Sequence, residues 1–224
     1  MQNMKHNLLL DLDGTLYNFD GKEGGVFHSS TFYKDLRKSI ITFIKERKKL
    51  NTLAAEKELE RIHVKYNGEI SIGVENEYGI DTITYFGNTW NLDPKKYIIK
   101  DDTLSKLLAV YRGRITLLTA APSAWAIQAL DHLEITEMFD EKIYTGESLL
   151  RKPNPLIFQK IVDDAGIPAD EFISIGDQEY SDIAPAKSIG MKTMLIGKLE
   201  NSVADYQANN IFDAIELLRS EGVI

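Results

Sequence analysis

The chain has 224 residues, 43% of them hydrophobic, with a formal net charge of -8 and no cysteine. Length and hydrophobic content suit one large core, or a core carrying a substantial insertion. The acidic balance, with no dense Lys/Arg block, argues against a nucleic-acid polymer as partner, and the missing cysteine excludes disulfides, thiolate catalysis and Cys-ligated zinc. The longest apolar runs are too short to span a bilayer, and the first expected strand leaves no room for a signal peptide. A cytoplasmic protein without membrane contact is therefore expected.

Residues 4–10 are expected to form the first strand, a short apolar run closed by Asp11-Leu12-Asp13-Gly14-Thr15. The character then changes. After a Gly-containing connector at 22–27, Ser29 or Ser30 can cap a helix whose apolar positions are Phe32, Leu36, Ile40, Phe43 and Ile44. A second helical pattern covers 50–66, and 70–90 is less periodic but rich in aromatics. Asp93-Pro94 marks a further short helix start. From residue 101 helices and strands alternate: a helix over 104–111, a strand at 115–119, a helix from Pro122, a short strand at 142–144, a helix over 153–165, a strand at 172–175, a helix over 181–189, a strand at 193–196 and a terminal helix. This alternation indicates an α/β fold with a parallel sheet, interrupted after its first strand by a mostly helical insert.

The polar residues that end these strands are of the kinds phosphoryl chemistry needs. Asp11 and Asp13 place two carboxylates at the carboxyl end of the first strand, where open parallel sheets bind ligands. Such a pair is costly to bury unless something compensates. A divalent cation does so with oxygen ligands, and an aspartate can also serve as a nucleophile. The second strand ends at Thr119, followed by Ala120, Ala121 and a helix start that favours an anion. Lys152 precedes a Pro-started helix, and an acidic loop, Gly176 to Asp182, follows a later strand. Each feature has an ordinary explanation: a tight Asp-Gly turn, a helix-capping Thr, a solvated lysine, an acidic helix start. Their succession, each after a strand and in this order, is what those separate explanations do not cover.

With these motifs in place, the chain resembles the haloacid dehalogenase-like hydrolase superfamily. The resemblance rests on Asp-Leu-Asp-Gly-Thr at 11–15, the strand ending at Thr119, Lys152-Pro153, and Gly176-Asp177 with Asp182. It implies a Rossmann-like sheet flanked by helices, formed by residues 1–16 and 101–224, with residues 17–100 as an inserted helical C1 cap. It also implies roles. Asp11 would be the nucleophile that takes up the phosphoryl group and Asp13 the general acid/base. Mg²⁺ would be held by Asp11, the backbone carbonyl of Asp13 and Asp177, with Asp182 supporting the metal or orienting Lys152. Gly14, Thr15, Thr119, Ala120 and Lys152 would bind the phosphoryl oxygens. Two departures stand out: Ala120 replaces a frequent Asn, and Gln178 replaces a frequent Ser or Thr.

Dehalogenases of the superfamily generally lack the second aspartate, so Asp13 argues against that reaction. The opening motif and segment lengths are similar to pyrimidine 5′-nucleotidase-like members. The expected activity is a Mg²⁺-dependent phosphatase acting on a small phosphorylated metabolite, a nucleoside monophosphate or a sugar phosphate. A phosphomutase of the same superfamily is the alternative. A phospho-acceptor receiver module also combines carboxylates, Mg²⁺, Thr and Lys, but Asp13 and the insert count against it. Tyr17 and Phe19 are expected at the entrance. Tyr85, Phe86 and Trp90 either stack on a base or, the favoured reading, form the insert's own core.

Overall fold

A computed structural model describes residues 6–21, 27–111, 113–139 and 142–224. Six parallel strands form one sheet: β1 (Asn7–Leu10), β2 (Ile115–Leu118), β3 (Ile143–Tyr144), β4 (Phe172–Gly176), β5 (Lys192–Ile196) and β6 (Tyr206–Ala208). Their order is β3-β2-β1-β4-β5-β6. The central β1 pairs with both β2 and β4, placing Leu10 opposite Leu117 and Ile175. The chain direction across the sheet reverses here, which opens a crevice at the carboxyl ends of β1, β2 and β4.

Parallel strands need crossovers, and helices supply them. Successive side chains of β1 feed opposite faces of the sheet, as a two-residue period requires. Leu8 and Leu10 join a core with Trp125 and Leu130 of α6 (Ser123–Leu133) and Ile215 and Leu218 of α9 (Ile211–Ser220). Leu104 and Leu108 of α5 (Asp102–Ala109), the helix before β2, extend that core. Leu9 joins the other, with Ile157, Phe158 and Ile161 of α7 (Pro155–Ala165) and Ala186 of α8 (Ala184–Ser188). Burial on both faces explains why these strands read as continuous apolar runs.

Between β1 and β2 lie four further helices, a region consistent with a C1 cap: α1 (Thr31–Lys48), α2 (Thr52–Lys65), α3 (Ile70–Tyr78) and α4 (Thr82–Thr89). Ser30, Asn51 and Asp81 cap α1, α2 and α4 by accepting a bond from a first-turn amide. Phe43, Ile44, Leu59, Ile62, Val74 and Tyr85 pack into a core of their own. The start of α1 is tied to the sheet side instead: Phe32 lies 4.3 Å from Trp125 between ring centroids.

Several expected boundaries move. The aromatic stretch after residue 70 is two short helices, parted at Gly79, whose φ of 65° is a left-handed conformation. The start at Asp93-Pro94 is a single tight turn, Pro94–Lys96. Helix α7 begins at Pro155 because Asn154 caps it, leaving Lys152 in the preceding turn. The helix expected from residue 181 is a wide turn, Glu179–Ile183, that leads into α8. Strand β6 had no counterpart in the expected elements. The expected first strand at residues 4 and 5, and residues 22–26 of the connector, lie outside the described residues. No helix among the described residues is long and apolar enough to cross a membrane.

Candidate active site

The groups that end β1, β2 and β4 converge with Lys152 on a cavity of about 670 Å³. Its lining includes Asp11, Asp13, Thr119, Lys152 and Asp177. Asp11 follows β1 directly, and its amide still donates to Ile175 O of β4 at 2.9 Å. The chain then turns tightly, with Leu16 N donating to Leu12 O at 3.0 Å and Gly14 N to Tyr17 O at 2.9 Å. Gly14 has a φ of 84°, and a Cβ there would overlap the Asp177 carboxylate. The motif glycine therefore lets β1 and β4 bring their acids together.

Both Asp11 oxygens are held. Thr15 Oγ1 donates to Oδ2 at 3.0 Å and Lys152 Nζ to Oδ1 at 2.6 Å. Lys152 also reaches Asp182 Oδ1 at 2.6 Å, with only 3% of its side chain exposed. Burial would lower its proton affinity, but Asp11 and Asp182 override that and hold the ammonium well above the usual lysine range. Asp182 Oδ2 accepts from Gln178 N at 3.0 Å, and its backbone carbonyl accepts from Ser174 Oγ at 3.0 Å. Asp182 is thus a fixed anchor behind Lys152.

Asp177 differs from these. Its Oδ1 is buried with no hydrogen-bond partner, and burial with the nearby Asp11 and Asp182 pushes its carboxyl up to about 8. Oxygens of Asp11, Asp177 and Asp182 lie within 4.8 Å of one another. An orphaned carboxylate oxygen in an all-oxygen cluster fits a hard divalent cation such as Mg²⁺, which would supply the missing partner. The Asp13 side chain is not part of this cluster. Its Oδ1 accepts from Tyr17 Oη and, at 3.1 Å, from Trp125 Nε1. Burial, opposed by the bond from Tyr17 and aided by the charge of Asp11, pushes its carboxyl up to about 6.

Thr119 follows β2 directly, its amide donating to Tyr144 O at 2.9 Å, while its Oγ1 accepts from Ala121 N at 3.0 Å. It therefore tightens the turn that carries Ala120 to the cavity wall. A second cavity of about 470 Å³ lies among α1–α4 and shares Phe27, His28, Trp90, Ala120 and Lys152 with the first. Trp90 and Phe19 line the first cavity. Tyr17 is 6% exposed and, contrary to expectation, turned onto Asp13. Tyr85 and Phe86 edge the second cavity, yet Tyr85 belongs to the insert's core. Sequence reasoning missed Tyr17 and Trp125 as donors to Asp13. It also missed Arg151, which bridges to Glu69 at the start of α3. A tyrosine four residues after Asp13 in a tight turn was the available signal; Trp125 had none.

The orphaned acid makes a thermal prediction. A carboxyl raised from 3.8 to about 8 binds its proton in the folded state, so metal-free stability declines as pH climbs from about 4 to 8. Asp177→Asn removes that proton uptake. In EDTA its Tm is expected to fall less than wild type between pH 5 and pH 8, and Mg²⁺ is expected to raise its Tm far less than it raises the wild-type value. An unchanged Mg²⁺ response in Asp177→Asn would take Asp177 out of the ligand set.

Residues 6–190 match the family model described as haloacid dehalogenase-like hydrolase. The glyceraldehyde 3-phosphate phosphatase of Pyrococcus abyssi (strain GE5 / Orsay) is 40% identical over 62 residues, 28% of this chain and 26% of that protein. The alignment thus spans about a quarter of that relative. The glyceraldehyde 3-phosphate phosphatase of Methanocaldococcus jannaschii is 26% identical over 239 aligned positions, covering 97% of this chain and 98% of that protein. Among solved structures, a HAD phosphatase from Thermococcus onnurineus superposes with a TM-score of 0.65 at 18% identity, covering 95% of this chain and 97% of that one. The HAD-hydrolase YfnB from Bacillus subtilis, described as bound to magnesium, gives 0.57 at 14% identity, covering 96% and 98%. Likeness at such identities concerns the fold.

Proposed function

Because the chain belongs to the haloacid dehalogenase-like hydrolases, we propose that it is a Mg²⁺-dependent phosphomonoesterase acting on a small sugar phosphate through an aspartyl-phosphate on Asp11. One observation carries this reading: two carboxylates two residues apart share the cavity in different surroundings. Both Asp11 oxygens accept hydrogen bonds, one from Lys152 and one from Thr15. Asp13 is half-buried beside it, with two donors on one oxygen and its proton affinity raised by desolvation. A nucleophile and a proton donor are what a phosphomonoester needs.

An Asp11 oxygen attacks phosphorus while the bond to the ester oxygen breaks, and Asp13 gives its proton to that oxygen. Asp13, now a carboxylate, takes a proton from water as the water attacks the phosphorus. The bond to Asp11 breaks, phosphate leaves and Asp13 is protonated again. Lys152, the Thr119 hydroxyl and the Ala120 amide receive the phosphoryl oxygens, whereas the amides of Gly14 and Thr15, expected to join them, are taken up by Tyr17 O and Leu12 O. Fixed donors stabilise charge there without reorganising. Bound Mg²⁺, held by Asp11, Asp177 and the Asp13 backbone carbonyl with Asp182 behind, would neutralise charge on the transferring group.

Residues 17–100 act as the cap over a core formed by 1–16 and 101–224, and the smaller cavity among α1–α4 receives the leaving group. The relatives named for glyceraldehyde 3-phosphate favour a short sugar phosphate over the nucleoside monophosphate that the opening motif also admits. The test is phosphate release from glyceraldehyde 3-phosphate, hexose phosphates, nucleoside monophosphates and p-nitrophenyl phosphate, with Mg²⁺ and with EDTA. Release is expected with Mg²⁺ only, fastest from the short sugar phosphates. No release from any ester by folded, Mg²⁺-supplied protein would overturn the reading, and isomerised sugar phosphate would replace it with a mutase.

A further inference from the structure

We infer that Tyr17 and Trp125 are positioning residues that aim Asp13 for proton transfer to the leaving group, an inference that rests on the phosphatase reading above. The hydrogen bonds between them run in one direction. An indole N–H only donates, and Trp125 Nε1 shares its proton between Tyr17 Oη at 2.9 Å and Asp13 Oδ1 at 3.1 Å. The Tyr17 hydroxyl, accepting from the indole, turns its own proton onto Asp13 Oδ1. Two donors thus meet on one oxygen. No described residue bonds to the other, Oδ2, which leaves it as the atom that exchanges the proton.

Both donors are locked before any substrate arrives. Tyr17 is placed by the tight turn after the nucleophile, its carbonyl accepting from Gly14 N at 2.9 Å. Its ring meets Phe19 edge-on at 5.3 Å. Trp125 is fully buried in the first turns of α6. Its ring packs on Phe32 of α1 at 4.3 Å and on Phe19 at 6.0 Å. Phe32 opens the inserted helices, so the aromatic stack that fixes Trp125 also spans the base of the cap. A rigid support of this kind places a reacting group within the narrow geometry that catalysis demands.

A different account of the same contacts is that the donors only satisfy a buried acid. The two accounts part over the leaving group. The alkoxide of a sugar phosphate leaves poorly and needs the Asp13 proton, whereas p-nitrophenolate leaves without one. The quantity to read is kcat/KM, which reports the steps up to phosphorylation of Asp11 and not the hydrolysis that both esters share. Tyr17→Phe keeps the ring and removes the hydroxyl. Its ratio of kcat/KM for an alkyl phosphate to kcat/KM for p-nitrophenyl phosphate is expected to fall on the order of 10–100-fold, a fraction of a full general-acid effect. Asp13→Asn is expected to lower the ratio at least as far. Adding Tyr17→Phe to Asp13→Asn should then change it no further, because both substitutions remove one function.

Equal loss on both esters, no loss on either, or a further fall of the ratio in the double variant would overturn the positioning role while leaving the phosphatase intact. A wild-type protein that hydrolyses neither ester would overturn both. Trp125→Phe is expected to shift the ratio in the same direction. Where its bulk proves necessary for folding, Tyr17→Phe carries the test alone.

Discussion

Asp11→Asn is expected to leave the fold intact and abolish turnover, with a loss on the order of 10⁴-fold or more, the scale of deleting a covalent nucleophile. The amide keeps the shape of the carboxylate, and its oxygen still accepts from Lys152, whose second partner, Asp182, is untouched. The charge proposed to attack phosphorus is gone. Thermal melts should place the variant within a few degrees of wild type, while phosphate release falls to background. A folded Asp11→Asn protein with near-normal activity would remove Asp11 as the nucleophile.

Lys152→Met is expected to cost both stability and activity. The ammonium is the cation between Asp11 and Asp182, whose side chains are 9% and 3% exposed. Removing it leaves two buried carboxylates facing each other with a third, Asp177, close by. Breaking a buried pair from one side costs about 3–5 kcal/mol, or roughly 6–20 °C in Tm for a chain of this size. Replacing both partners at once is cheaper than replacing one. The double variant Lys152→Met/Asp182→Asn should therefore be more stable than Lys152→Met alone. Equal melting temperatures for wild type and Lys152→Met would show that the triad carries no such strain.

The parts of this molecule that were legible in the sequence are those whose surroundings are uniform. The strand β1 is buried on both faces, so Leu8, Leu9 and Leu10 form an unbroken apolar run, and Phe172 to Ile175 is equally buried with only Ser174 breaking its apolar run. The short edge strand Tyr206–Ala208 is buried at only one of its three residues, so it leaves no such run; it exists because β5 offers it an edge to pair with. The helices after residue 70 were blurred because each is short and the break between them needs only Gly79. The strand ends also pointed to residues that line one cavity, Asp11, Asp13, Thr119 and Asp177. Lys152 stands 141 positions from Asp11, yet the topology brings both to the carboxyl end of the sheet. What escaped notice were partners that read as something else. Tyr17 was expected at the entrance, and Trp125 and Arg151 carried no expected role. Trp125 and Arg151 owe their contacts to residues far along the chain, which no local pattern encodes.

The covalent intermediate is the centre of this account, and it can be caught. Protein mixed with its best phosphate ester and Mg²⁺, quenched in acid within the first turnover and digested, should yield a peptide containing Asp11 that has gained one phosphoryl group. The same peptide from Asp11→Asn should gain nothing. Wild-type turnover with no phosphorylated peptide at any quench time, or with the phosphoryl group on a residue other than Asp11, would contradict the account directly.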